Sequence, residues 1–137
     1  MWYRIGFTLS FIIFRCFFLL KVLGKDKIRE SWKLGGVLLV ANHTSYFDPP
    51  IVGVSYGKKI AFLARKTLFK KGFFAWLYPR LNAIPVDQDG PDMGSLKRII
   101  KELKSGNPVL IFPEGQRSEN GEILKGEAGV GLVIAKS

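Results

Sequence analysis

Strands alternating with helices predict an α/β domain, a layered sheet flanked by helices. Three observations carry this. Four short apolar runs, at residues 37–41, 59–64, 83–86 and 108–112, have strand length and lie between turn-forming residues. Helical spacing separates them, most plainly at Leu96, Ile99, Ile100 and Leu103. At 137 residues, with no internal repeat or low-complexity tract, the chain is one domain at most, with room for a single core.

Taken in order, residues 2–23 form an apolar stretch long enough to span a bilayer, which needs about 20 residues. Arg15 interrupts it, and its longest uncharged run is 5–14. On a helix, Arg4, Thr8 and Arg15 fall near one stripe and the rest is aromatic or aliphatic. That pattern suits a helix lying in the membrane interface over 1–24, with Trp2 and Tyr3 at headgroup depth and Gly24 at its end. A buried core helix is the plainer alternative. A signal peptide is disfavoured by Arg15 and by the absence of a small-x-small cleavage site.

Residues 25–33 are of mixed charge and read as a short helix or connection, and Gly35-Gly36 as a turn. The domain proper is placed at 35–137. Its first strand, 37–41, runs into a loop, and Pro49-Pro50 then fit the first turn of a helix reaching about Tyr56. A strand at 59–64 precedes a helix over 66–79. Pro85 places the third strand at a sheet edge or strand end. Residues 87–92 form a polar loop, and Ser105-Gly106-Asn107 stops the next helix. The fourth strand leads to a turn at Pro113-Glu114-Gly115, and 127–136 read as a last helix.

Composition narrows the partners. The chain is 47% hydrophobic, which excludes general disorder, and 21 Lys and Arg against 11 Asp and Glu give a net charge of +10. A basic chain seeks an anionic partner. Seven bases and no acid lie between Asp48 and Asp87, interleaved with Phe62, Phe69, Phe73, Phe74, Trp76 and Tyr78. A solvated basic face over a packed one is the plain reading, and a nucleic-acid groove is another. The apolar N-terminal stretch favours anionic lipid, with no nucleic-acid partner. The single Cys16 excludes an internal disulfide framework and a Cys-based zinc cluster.

His43 is the only histidine, and no other side-chain type has an ordinary pKa near neutrality. At a strand end it can take a proton from an alcohol and return it to a leaving group. Asp48, five residues on, can fix its tautomer. Asp48 can equally cap the following helix through the Ile51 N–H. Ser45 is a weaker nucleophile candidate, since no third member is evident. The second candidate stretch is Phe112-Pro113-Glu114-Gly115-Gln116-Arg117-Ser118, at the end of the fourth strand, where α/β sheets bind ligands. Gly115 permits close backbone approach and Arg117 offers a planar fork suited to phosphate. An ordinary surface turn is its plain reading.

Asn42-His43-x4-Asp48 resembles motif I of the glycerolipid acyltransferases of the PlsC type, and Phe112 to Ser118 resembles their FPEGTRS motif. Ala64-Arg65-Lys66-x-Leu68-Phe69 and Ala83-Ile84-Pro85-Val86-Asp87 look like the family's linking segment and motif II. The resemblance covers about residues 35 to 130. It implies a glycerol-3-phosphate acyltransferase-like fold. It also implies transfer of an acyl chain from acyl-CoA or acyl-carrier protein to the hydroxyl of lysophosphatidic acid. His43 would be the base and Asp48 its partner, while Glu114, Gly115, Arg117 and Lys66 would bind substrate. No metal or cofactor is expected, because the thioester is already activated. The enzyme would work at a membrane, on its cytoplasmic face.

Two departures stand out. Gln88 occupies the place where the family's motif II has Arg, so that Lys66 or Arg80 would have to supply the phosphate contact. The family's apolar fourth motif is not found before Ser137, so the domain is expected to be incomplete at its C-terminus. A non-catalytic protein that binds anionic lipid on the same fold is the rival expectation.

Overall fold

The computed structural model describes residues 1–87, 93–127 and 129–137. Among the described residues one sheet holds four strands: β1 (Leu38–Val40), β2 (Ala61–Arg65), β3 (Ala83–Val86) and β4 (Val109–Ile111). Their order is β1-β4-β2-β3, and every pairing is parallel. Parallel neighbours require crossovers. These are supplied by α3 (Asp48–Tyr56), by a 3-10 turn (Lys66–Phe69) with α4 (Gly72–Arg80), and by α5 (Met93–Lys104). α1 (Trp2–Cys16) and α2 (Lys25–Ser31) precede the sheet, and α6 (Gly129–Lys136) follows it. The expected α/β architecture is therefore the observed one.

Alternation along the strands sends side chains to two cores. Val109 and Ile111 join Ala61, Ile84, Ile99, Leu103 and Val133 on the face covered by α5 and α6. Leu110 joins Tyr56 and Ile60 on the other face, with Trp32, Leu39, Phe62 and Phe112 packed around them. Val109 and Leu110 are fully buried. Burial of each such side chain contributes about 1.5–3 kcal/mol, enough to fix β4 at the centre of the sheet. β3 is an edge strand, one of the two placements expected from Pro85, and the Pro85 carbonyl accepts a bond from Ser95 Oγ at 2.9 Å.

Two elements depart from the sequence expectation. The first helix ends at Cys16 rather than continuing to residue 23. Leu19 takes a positive φ of 49°, the Leu20 N–H bonds back to the Phe14 carbonyl at 2.9 Å, and the Arg15 guanidinium binds the Leu20 carbonyl at 2.7 Å. Gly24 is consequently the residue before α2, not the end of α1. The helix expected over 66–79 is split at Lys70-Lys71, because Gly72 has a φ of +80°, a region that favours glycine.

α1 lies against α3 and α4 through one side. Phe14 is 4% exposed, and Trp2 meets Trp76 edge-on at 4.7 Å. Tyr3 accepts the Ile60 N–H at 3.0 Å; burial pushes its phenol above the ordinary value, against the opposing effect of that bond. The other side of the helix leaves Ile5, Leu9, Ile12 and Ile13 exposed. Among the described residues no helix is long and apolar enough to cross a membrane.

Candidate active site

A parallel sheet puts the carboxyl ends of all its strands on one edge. β1 and β4 are neighbours, so the loops leaving them meet although they lie some 70 residues apart in sequence. Three bonds tie them: Ala41 N–H to the Ile111 carbonyl (3.3 Å), Ser118 N–H to the His43 carbonyl (2.7 Å), and His43 N–H to Glu114 Oε1 (3.1 Å). Glu114 is 5% exposed, and its second oxygen accepts the Leu124 N–H at 3.3 Å. Its carboxylate therefore braces the two loops from inside. The His43 ring stacks on Phe112, centroid to centroid 4.0 Å and 15° from parallel. Phe112 itself packs against the second core, so the imidazole rests on a fixed wall.

Asp48 is the first residue of α3, where a carboxylate is favoured by the helix dipole. The alternative role as a cap is not taken up: the Ile51 N–H bonds the Phe47 carbonyl at 2.9 Å. Instead the side chain turns back into the loop. Its Oδ2 lies 2.8 Å from His43 Nδ1 and accepts the N–H groups of Thr44 (2.7 Å) and Ser45 (2.8 Å). Burial would raise the Asp48 carboxyl, but the bonds from Ser45, His43 and Thr44 outweigh it and hold the group below its ordinary value. An ionised carboxylate only accepts, so Nδ1 must carry the proton, which leaves the lone pair on Nε2. Nε2 is thus the atom able to take a proton from a substrate hydroxyl. About one-fifth of each side chain remains exposed, so substrate can reach the pair.

Arg117 lies in the β4 loop, with its Cζ 3.4 Å from the centre of the Tyr46 ring. Its Nη1 is buried and, among the described residues, has no hydrogen-bond partner. A buried donor without a partner costs about 1–3 kcal/mol, a cost that an acceptor from outside the chain would offset. Gly115 turns the chain ahead of it with a φ of +66°. Lys66 stands at the end of β2 and pairs with Asp87 at 3.4 Å, both groups half exposed or more. It is on the same sheet edge, one strand beyond β4. Arg80, the other possible stand-in for the motif II arginine, lies over the Trp76 ring at 4.4 Å and bonds the Trp76 carbonyl. Gln88 lies outside the described residues. Sequence reasoning gave no role to Phe112 as a support for His43, or to Tyr46 as a cover for Arg117. Both stand inside the recognised motifs, but their partners are about 70 residues away.

The family model "Acyltransferase" matches residues 20–137. The 1-acyl-sn-glycerol-3-phosphate acyltransferase of Bacillus subtilis (strain 168) is 31% identical over 106 residues, 77% of this chain and 52% of that protein. The enzyme of the same name from Helicobacter pylori (strain J99) is 33% identical over 124 residues, 88% of this chain and 52% of that protein. The chain thus spans about half the length of these relatives. In fold it is similar to the crystal structure of the 1-acyl-sn-glycerophosphate acyltransferase PlsC from Thermotoga maritima, with a TM-score of 0.58 at 22% identity, covering 98% of this chain and 68% of that one.

Proposed function

The chain belongs to the acyltransferase family, and within that family we propose that it moves a fatty acyl group from a thioester to the free hydroxyl of lysophosphatidic acid. The observation that carries this is the 2.8 Å contact between His43 Nδ1 and Asp48, which leaves Nε2 as the base. Nε2 takes the hydroxyl proton as the oxygen attacks the thioester carbonyl. Asp48 stabilises the imidazolium that forms. The C–S bond breaks, the ester C–O bond is complete, and the imidazolium returns its proton to the departing thiolate. Phosphatidic acid and a free thiol result. Acyl-CoA and acyl-carrier protein both supply such a thioester, and no further cofactor enters the step.

Arg117, whose buried Nη1 has no partner among the described residues, holds the acceptor's phosphate, and Gly115 allows the backbone to come close. Glu114 acts from behind, holding the His43 and Arg117 loops in register. Lys66, held by Asp87, adds positive charge along the same edge. The exposed apolar side of α1, with Phe73, Phe74 and the neighbouring bases, docks the domain on anionic lipid from the cytoplasmic side. Phe47 touches both Phe14 and Phe18, so the docked segment adjoins the His43 loop directly.

The test compares acyl transfer to lysophosphatidic acid with transfer to monoacylglycerol, which lacks the phosphate. The chain should favour the phosphorylated acceptor, and Arg117→Gln should abolish most of that preference, raising KM about tenfold or more for lysophosphatidic acid alone. Equal use of both acceptors by the unmodified chain would rule out phosphate recognition.

A further inference from the structure

We propose that Tyr46 is the positioning residue of the phosphate site, its ring clamping the Arg117 guanidinium in the plane from which it binds the acceptor. The inference rests on the phosphate reading of Arg117 given above. Three features of the structure support it. The Arg117 Cζ lies 3.4 Å from the Tyr46 ring centre, which is van der Waals contact between a flat cation and a π face. Tyr46 is 80% exposed, so this ring is not held there as part of a core. The guanidinium it covers carries a buried Nη1 that, among the described residues, no protein acceptor satisfies.

The consequence follows from the shape of the group. All guanidinium donors lie in one plane, so a ring that fixes the plane fixes their directions. Without the ring, Arg117 would regain rotamer freedom that must be lost again on binding. The ring also keeps water from one face of the cation, which strengthens its attraction for an anion. The neighbouring Phe47 faces the other way, onto Phe14 and Phe18, so two adjacent residues of one loop serve the phosphate site and α1 separately. The clamp needs an aromatic face and not a hydroxyl.

The experiment measures binding by titration calorimetry, using the full chain in detergent micelles, so that it does not depend on turnover. The ligands are lysophosphatidic acid and monoacylglycerol, and the variants are Tyr46→Leu, Tyr46→Phe and Arg117→Gln, each checked for its fold by circular dichroism. Tyr46→Leu should weaken lysophosphatidic acid about five- to tenfold and leave monoacylglycerol unchanged. Tyr46→Phe should restore binding to within about twofold of the unmodified chain. Unchanged or tighter binding in Tyr46→Leu would overturn the clamp, the tighter result marking the ring as a cover that must move aside. Equal weakening of both ligands would also overturn it, because a general disturbance of the loop does not discriminate phosphate. If Arg117→Gln leaves the preference for lysophosphatidic acid intact, the phosphate reading itself has failed and the clamp falls with it. A loss in Arg117→Gln without one in Tyr46→Leu removes the clamp alone.

Discussion

Replacing Asp48 by asparagine separates the two tasks of this side chain. Asp48 Oδ2 accepts Thr44 N–H at 2.7 Å, Ser45 N–H at 2.8 Å and His43 Nδ1–H at 2.8 Å. Two of these donors are backbone groups that cannot turn away. An amide at this position must therefore present its carbonyl oxygen to them, and the same oxygen faces His43. The tautomer with the proton on Nδ1 is kept, and only the negative charge is lost. An imidazolium and a carboxylate whose charges are about 4 Å apart attract by about 4 kcal/mol at an effective dielectric of about 20. The partial exposure of both side chains reduces this to about 3 kcal/mol. At about 1.4 kcal/mol per decade, kcat should fall roughly a hundredfold in an acyl-transfer assay with lysophosphatidic acid, with KM little changed. A fall of less than about threefold would show that the carboxylate only ties the loop. A fall near ~10⁴-fold, the scale of a lost tautomer, would show that the backbone donors do not orient the amide.

Two further outcomes concern the frame around the pair. Glu114→Ala should lower stability to urea by about 1–3 kcal/mol, since it leaves the partly buried His43 and Leu124 N–H groups without the carboxylate; Glu114→Gln, which keeps one acceptor oxygen, should recover about half of that loss. The folded Asp48 carboxyl titrates below its ordinary value, so its contribution is fully present above the unfolded value of about 3.9 and fades as pH falls through the lower folded value. The difference in urea midpoint between the unmodified chain and Asp48→Asn should accordingly shrink as pH falls below about 4; a difference that persists undiminished to lower pH would contradict the direction of the shift.

Much of this arrangement was legible from spacing. Four apolar runs became four strands, Pro85 marked an edge, and strand ends located both loops of the site. The boundary errors have local causes. Hydropathy continues through residues 17–23, and nothing in it announces that Arg15 will hold the Leu20 carbonyl and end α1 early. The break before α4 falls at Gly72, whose positive φ the helical spacing of Leu68, Phe69, Phe73, Trp76 and Leu77 does not announce. In the site, sequence left Asp48 divided between capping α3 and pairing with His43, because both roles suit an Asp ahead of two prolines. Only the path of the Ile51 N–H separates them. Glu114 was expected to face substrate, and its burial against two backbone N–H groups depends on the β1–β4 pairing. Tyr46 on Arg117 and Phe112 under His43 depend on the same pairing, which no local pattern encodes.

The most direct test of the account is acyl transfer by this chain from a thioester donor to lysophosphatidic acid, with His43→Ala measured beside it. The account predicts turnover in the unmodified chain and a loss of about 10²- to 10⁴-fold in the variant, with lysophosphatidic acid still bound. Turnover that persists in His43→Ala within about threefold would contradict it, because no other group on this sheet edge would then have been identified as the base.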